Sequence, residues 1–259
     1  MTDRKQLATI VKDLRIGLSL ATILPLGPST PVGDGDIARA GWTLPVAGLL
    51  VGLLSAAVYA IASAVGVTPA PAAMLALAST IIITGALHED GLADTADGLG
   101  GGTRARRLEI MRDSRIGSFG VCALIVSLGL RWSALAAIAA PRAVLIALLL
   151  AHVAARAGLP LFMALVPPAR TDGLSAGAGR PAGPNAAIAL GLGAIVLAIG
   201  FGPGKAILAV ILLAFLGLLI AWLAIRQVGG QTGDILGAYE QVAETAILLM
   251  AASLFHAAS

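Results

Sequence analysis

Nineteen consecutive residues, Pro69 to Leu87, carry no charge at all. An α-helix needs about 20 such residues to cross the hydrocarbon core of a bilayer. Further apolar runs cover residues 42–66, 116–140, 143–166, 186–203, 206–225 and 239–257. In hydrocarbon every backbone N–H and C=O must be satisfied within its own segment, so these runs predict helices. Residues 6–27 form a shorter apolar stretch, interrupted by Lys12, Asp13 and Arg15 and ended by Pro25 and Pro28. It reads as an interfacial or re-entrant helix. Only 12 % of the 259 residues are charged, against roughly 25 % in a soluble domain. The expected fold is all-α: a polytopic integral membrane helical bundle of about six to seven transmembrane helices plus a short N-terminal interfacial or re-entrant helix. One membrane-embedded domain spans residues 1–259.

The loops assign a side. With the N-terminus in the cytoplasm, inside segments hold all but four of the 17 lysines and arginines. Arg142 and Lys205 fall in outside loops, and Arg131 and Arg156 lie within spans. Short cytoplasmic loops are enriched in Lys and Arg, so the orientation follows. The polar loops 88–115, 167–185 and 226–238 then share the cytoplasmic side, and the outside turns are minimal. Function concentrated on one face suits an enzyme with cytoplasmic substrates. A transporter would place polar groups at mid-membrane or on both faces. The net charge of +3 predicts no nucleic-acid partner, and Cys122 is the sole cysteine, so no disulfide framework or thiolate metal site is expected. The opening MTDRKQLATIVKD lacks the apolar core and small-residue cleavage site of a signal peptide.

Within HEDGLADTADGLGGG, residues 88–102, the carboxylates of Asp90, Asp94 and Asp97 recur at i, i+4, i+7. On a helix they share one narrow face. Like charges so close repel, and no nearby lysine offsets them. A divalent cation does: hard oxygens suit Mg²⁺ or Mn²⁺, and Mg²⁺ commonly combines a few carboxylates with substrate phosphate oxygens. These three aspartates are the expected metal ligands and Mg²⁺ the expected cofactor. Gly91 and Gly98 have no side chain to hold a phosphorylated ligand off the backbone. His88 is a candidate catalytic residue. Glu89 points about 100° away from the aspartate face, which predicts a capping or solvated role. No Gly-Lys-Ser/Thr follows, so this is not a P-loop.

RRLEIMRDSRIGSFG follows. Arg112 and Arg115 present guanidinium forks that match phosphate oxygens bidentately. Acids for a metal followed by arginines for phosphate make a phosphoryl-transfer set. Arg104, Arg106 and Arg107 read as membrane anchors. The third polar segment is GGQTGDILGAYEQVAE, residues 229–244. Gln231 and Thr232 are polar handles for a ligand. Asp234, Glu240 and Glu244 are candidates for positioning a substrate or accepting a hydroxyl proton, and Glu240 with Glu244 also fits a structural pairing with Arg156 or Arg131. Arg156, inside an apolar run, requires a carboxylate or a substrate phosphate as partner.

HEDGLADTADG closely resembles the H-x-D-G-L-A-D-T-x-D-G motif of the cobalamin synthase (adenosylcobinamide-GDP ribazoletransferase) family. RDSRIGSFG resembles the family's R-D-S-R-x-G motif, and GGQTGDILGAYEQVAE its late G-G-x-T-G-D-x-x-G-A motif. The three occur in the family's order and cover nearly the whole chain. Glu89 departs from the family, standing where an apolar residue is usual after the histidine, and Ala155 stands where a serine tends to precede the arginine. The resemblance implies the joining of the nucleotide loop to the corrinoid. A ribose hydroxyl of α-ribazole or its 5′-phosphate attacks the phosphorus on the corrinoid's aminopropanol arm, and GMP leaves. It implies Mg²⁺, adenosylcobinamide-GDP and α-ribazole (or its phosphate) as partners, membrane lipid around the bundle, and the cytoplasmic (inner) membrane of a bacterium; a homo-oligomer stays open. The acidic spacing also resembles CDP-alcohol phosphotransferases, although their pattern has Ala-Arg where this chain has Ala93-Asp94. A cation-coupled transporter would need acids near mid-span and polar outside loops.

Overall fold

The computed structural model describes residues 2–255, so residues 256 and 257 of the last expected span lie outside it. Helices α1 (Thr2–Ala21) and α2 (Asp36–Ala40) and a 3-10 turn (Gly41–Thr43) lead into α3 (Leu44–Ala64). Next come α4 (Pro69–Thr84), α5 (Leu87–Leu99), α6 (Arg104–Ile110), α7 (Ser118–Ile138), α8 (Pro141–Ala157) and α9 (Leu159–Leu165). The last four are α10 (Leu174–Gly177), α11 (Gly183–Phe201), α12 (Pro203–Val228) and α13 (Gly233–Phe255). Six helical segments are long and apolar enough to cross a membrane, and α4 with α5 makes a seventh if the pair counts as one span. The chain is a multi-pass membrane helical bundle, as its apolar runs predict.

Three features differ from the expected outline. The N-terminal helix, expected to end at Pro25 and Pro28, already ends at Ala21, and α1 packs on α2 and the 3-10 turn through Asp13, which accepts from Arg39 Nε at 2.9 Å and Trp42 Nε1 at 3.2 Å. The 143–166 run is divided at Gly158 into α8 and α9, where Pro160 sits in the first turn of the second helix. Residues 88–115 are largely helical rather than loop.

Prolines open α4, α8, α9, α11 and α12, where a missing N–H removes no helical bond. The end of α4 sets the direction of everything after it. Gly85 (φ 65°) and Ala86 (φ 57°) are successive left-handed residues, and they turn α5 by 88° from α4. Left-handed backbone costs an alanine about 1–2 kcal/mol, so this corner is held by its surroundings. The bend means that α5 does not continue the direction of α4.

The bundle is built around α8 and α9, whose span is 78 % buried, whereas α12 is 11 % buried and lies on the outside of the bundle. Lipid tails give helices no hydrophobic reason to associate, so close approach of small residues and interhelical polar contacts do that work. Gly48 and Gly52 of α3 lie directly over the carbonyls of His152 and Leu148 on α8. At one end of the bundle Tyr59 Oη donates to Ala139 O at 2.8 Å and Trp132 Nε1 to Ala70 O at 2.7 Å. The other end is joined by Arg104, which donates to Val228 O at 2.7 Å and Ala169 O at 3.0 Å, and by Asn185, which donates to Arg39 O at 2.9 Å. The three polar segments 88–115, 167–185 and 226–238 therefore meet at one end of the bundle. Arg104 of the first, read as an anchor from its charge, braces the other two.

Candidate active site

A cavity of about 250 Å³ opens at that end, walled by α1, α2, α5, α8, α9 and the start of α13. Its polar lining comes from His88, Asp90, Arg156, Arg170, Ser175 and Asp234. Two of the three motifs reach it, by different routes. The corner at Gly85 and Ala86 delivers His88 and Asp90, while the first turn of α13 delivers Asp234.

Asp90 is exposed, and Asp94, Asp97 and Asp234 are partly buried. Burial, and then the charges of Asp90, Asp234 and Asp97, push the Asp94 carboxyl up to about 7. The cluster therefore holds more negative charge than it can ionise alone. Asp97 is fixed at its outer end. Its carboxylate oxygens accept from the backbone N–H groups of Gly117 at 2.7 Å and Gly120 at 2.8 Å, at the positive end of α7. A Cβ at either glycine would collide with that carboxylate, which explains the glycines of RDSRIGSFG.

The donor set fits a hard cation. Among the described residues, the only trio with ligand atoms within 4.8 Å of one another is His152, Glu240 and Glu244. That trio is already neutralised: Arg131 reaches Glu244 at 3.0 Å and Arg156 reaches Glu240 at 2.6 Å. The α5 aspartates stand farther apart, and among the described residues no cationic side chain pairs with them. A Mg²⁺ held by Asp90, Asp94 and Asp97 would take its other ligands from water and phosphate oxygens, as this ion usually does.

Behind the cavity lies a fully packed charged layer. Arg131 bridges Glu89 (3.1 Å) and Glu244 (3.0 Å), and His152 Nδ1 stands 3.1 Å from the other oxygen of Glu244. His88 connects this layer to the cavity, with Nδ1 3.4 Å from Arg156 Nη2 and 3.7 Å from Glu240 Oε2. Glu240 and Glu244 are thus structural partners of Arg156 and Arg131 and not groups facing a substrate, because the face of α13 that carries them packs on α7 and α8. Glu89 corrects the expected solvated or capping role: its 100° offset from the aspartates aims it into the bundle, where Arg131 meets it.

Other expected residues are also placed elsewhere. Arg112 pairs with Asp172 at 2.5 Å and Arg115 with Asp113 at 2.6 Å, all at the surface and off the cavity. Arg115 holds the Asp113 carboxyl down to about 2. Their forks are spent on neighbouring carboxylates. Gly91 and Gly98 do not open space for a ligand. Gly91 lets α5 cross α13 at Gly237, and Gly98 is filled by Met111. Thr232 is buried and caps α13, accepting from Ile235 N at 3.2 Å and donating to Asp234 at 3.1 Å. Gln231 is buried too, and its backbone pairs with Pro167 and Ala169. Arg170, which sequence reading counted only as a topology charge, lines the cavity 3.6 Å from Asp234.

A family model described as cobalamin-5-phosphate synthase matches residues 13–252. The chain is 66 % identical over 245 residues to a Bradyrhizobium diazoefficiens protein named adenosylcobinamide-GDP ribazoletransferase, covering 94 % of each chain. It is 51 % identical to a protein of the same name from Mesorhizobium japonicum, covering 93 % of each. A third, from Azorhizobium caulinodans, is 45 % identical over 83 % of this chain and 84 % of the relative. No solved structure matches.

Proposed function

The chain belongs to the cobalamin-5-phosphate synthase family, and on that premise we propose that the α5 aspartates and Asp234 carry its transfer chemistry at the cytoplasmic face of a bacterial inner membrane. The enzyme is an adenosylcobinamide-GDP ribazoletransferase, performing the nucleotide-loop joining step of cobalamin assembly. A ribose hydroxyl oxygen of the acceptor, α-ribazole or its 5′-phosphate, forms a bond to the phosphorus on the aminopropanol arm. The bond from that phosphorus to the bridging oxygen breaks, GMP leaves, and the hydroxyl proton passes to a base.

The observation that carries this reading is the excess of carboxylate in one cluster, Asp90, Asp94, Asp97 and Asp234, with Asp94 pushed up to about 7 by burial and its three neighbours. Bound among Asp90, Asp94 and Asp97, Mg²⁺ supplies the positive charge that the displaced phosphate needs. Asp97, anchored on the N-terminus of α7, sets the position of the outer ligand. Asp234 stands in the cavity on the first turn of α13 and is the carboxylate placed to accept the hydroxyl proton. His88, lodged against Arg156 and Glu240, orients the cavity wall. The arginines and lysines cluster toward the same end as the motifs, which supports a cytoplasmic location for the cavity.

The test is direct. Purified protein with adenosylcobinamide-GDP, α-ribazole and Mg²⁺ should release GMP in step with corrinoid product. Release of CMP from a CDP-alcohol donor, with none of GMP, would favour the phosphotransferase alternative.

A further inference from the structure

Arg170 lines the cavity, and neither the motifs nor the ion-pair layer supplies a role for it. Its side chain is 17 % exposed, and it shares the cavity wall with Asp90, Arg156 and Asp234. Among the described residues its one ionic neighbour is Asp234, 3.6 Å from Nη2, beyond hydrogen-bonding distance. Nη1 is buried and has no hydrogen-bond partner. A guanidinium presents five donors in a rigid fork, and buried donors left unmatched are costly. Arg156, the other arginine on the wall, is already bound to Glu240 at 2.6 Å.

The backbone holds Arg170 firmly in this position. Ala169 N–H donates to Gln231 O and Gln231 N–H to Pro167 O, both at 2.8 Å. Arg104 donates to Ala169 O at 3.0 Å from the far side. Gly230 has a φ of 154°, and its backbone lies against Pro167. A side chain there would break this pairing. Arg170 and Asp234 thus stand on one platform, formed by the segment before α10 and the cap of α13.

We propose that Arg170 is a phosphate-binding residue of the transfer site, presenting its guanidinium edge to a phosphate of an anionic substrate. The proposal rests on the transferase reading above. Asp234 holds the cation near its working position while leaving donors free. Two substrates carry the required group: the pyrophosphate of adenosylcobinamide-GDP, and the 5′-phosphate of a phosphorylated acceptor. Arg112 and Arg115, spent on surface carboxylates, offer no equivalent in the cavity.

GDP serves as the binding probe, with the full chain in detergent and Mg²⁺ present. Arg170→Ala is expected to weaken GDP binding by about tenfold or more. Arg170→Lys should lose less, because it keeps the charge without the fork; it also serves as the variant to read if the alanine form does not fold. Turnover then separates the two sources. A raised Michaelis constant for adenosylcobinamide-GDP with either acceptor places Arg170 on the donor's pyrophosphate. A raised constant for α-ribazole 5′-phosphate alone, with α-ribazole unaffected, places it on the acceptor. A merely structural role would lower the amount of folded enzyme and leave these constants alone. Unchanged GDP affinity together with unchanged constants for both substrates overturns the proposal and leaves the transferase reading intact. Should wild type not turn over adenosylcobinamide-GDP at all, that reading fails, and equal GDP affinities in wild type and Arg170→Ala overturn the role of Arg170.

Discussion

Arg131 on α7 reaches Glu244 on α13 at 3.0 Å, with both side chains fully buried. The same guanidinium meets Glu89 of α5 at 3.1 Å, so one arginine ties together the three helices that carry the motifs. Removing it strands two buried carboxylates, a loss that typically costs about 3–5 kcal/mol. Arg131→Met should lower the thermal midpoint of the detergent-solubilised protein sharply. Adding Glu89→Gln and Glu244→Gln should recover part of the loss, since the stranded charges are then gone. A midpoint unchanged in Arg131→Met would show that the layer contributes little to the fold.

Asp94 and Asp97 should respond differently to the same substitution. Asp94→Asn removes a crowded negative charge, so turnover falls by orders of magnitude while stability holds or rises. Asp97→Asn sets an amide NH₂ against a backbone N–H at the start of α7, where both carboxylate oxygens are now acceptors. It should lower stability as well as turnover. Thermal midpoints measured beside rates distinguish the two, and equal midpoints would contradict the anchoring role of Asp97.

The raised Asp94 carboxyl makes metal binding depend on pH. Its value of about 7 means that below neutrality the group carries a proton that a cation must displace. Mg²⁺ affinity should then fall by about tenfold per pH unit below pH 7 and level off above it. The Mg²⁺ concentration giving half-maximal GMP release, compared at pH 6 and pH 8, reads this directly. Equal values would remove Asp94 from the metal site.

Arg115 is 86 % exposed and paired with Asp113. It stands off the cavity, so Arg115→Ala should leave turnover close to that of wild type. A loss of orders of magnitude would mean that Arg115 swings into the cavity during the reaction.

Much of the fold was legible because a bilayer leaves few options. Charge-free runs such as 42–66 have to be helices, and Lys and Arg mark one side. The aspartates of α5 were legible as well, since a period of 3.6 places Asp90, Asp94 and Asp97 on one face wherever the helix goes. The direction of that helix was not. It depends on left-handed backbone at Ala86, a residue with no propensity for it. Nor were the partners of buried charges legible. Arg131 and Glu89 lie 42 positions apart and Arg131 and Glu244 113 apart, and no local pattern joins them. That is why Glu89 read as a solvated end, and why Glu240 and Glu244 read as substrate-positioning or proton-accepting groups first and as structural partners second. Arg170 was missed for a related reason. A lone arginine in a cytoplasmic loop looks like any topology signal until its neighbours are known.

The most direct measurement is GMP release from adenosylcobinamide-GDP and α-ribazole by wild type and Asp94→Asn, followed as Mg²⁺ is removed by chelator and then restored. Wild type should fall to background in chelator and recover when Mg²⁺ is added back. Asp94→Asn, folded and equally stable, should stay near background throughout. Full turnover by wild type in excess chelator, or a wild-type rate from Asp94→Asn, would contradict a metal-assisted transfer at the α5 aspartates.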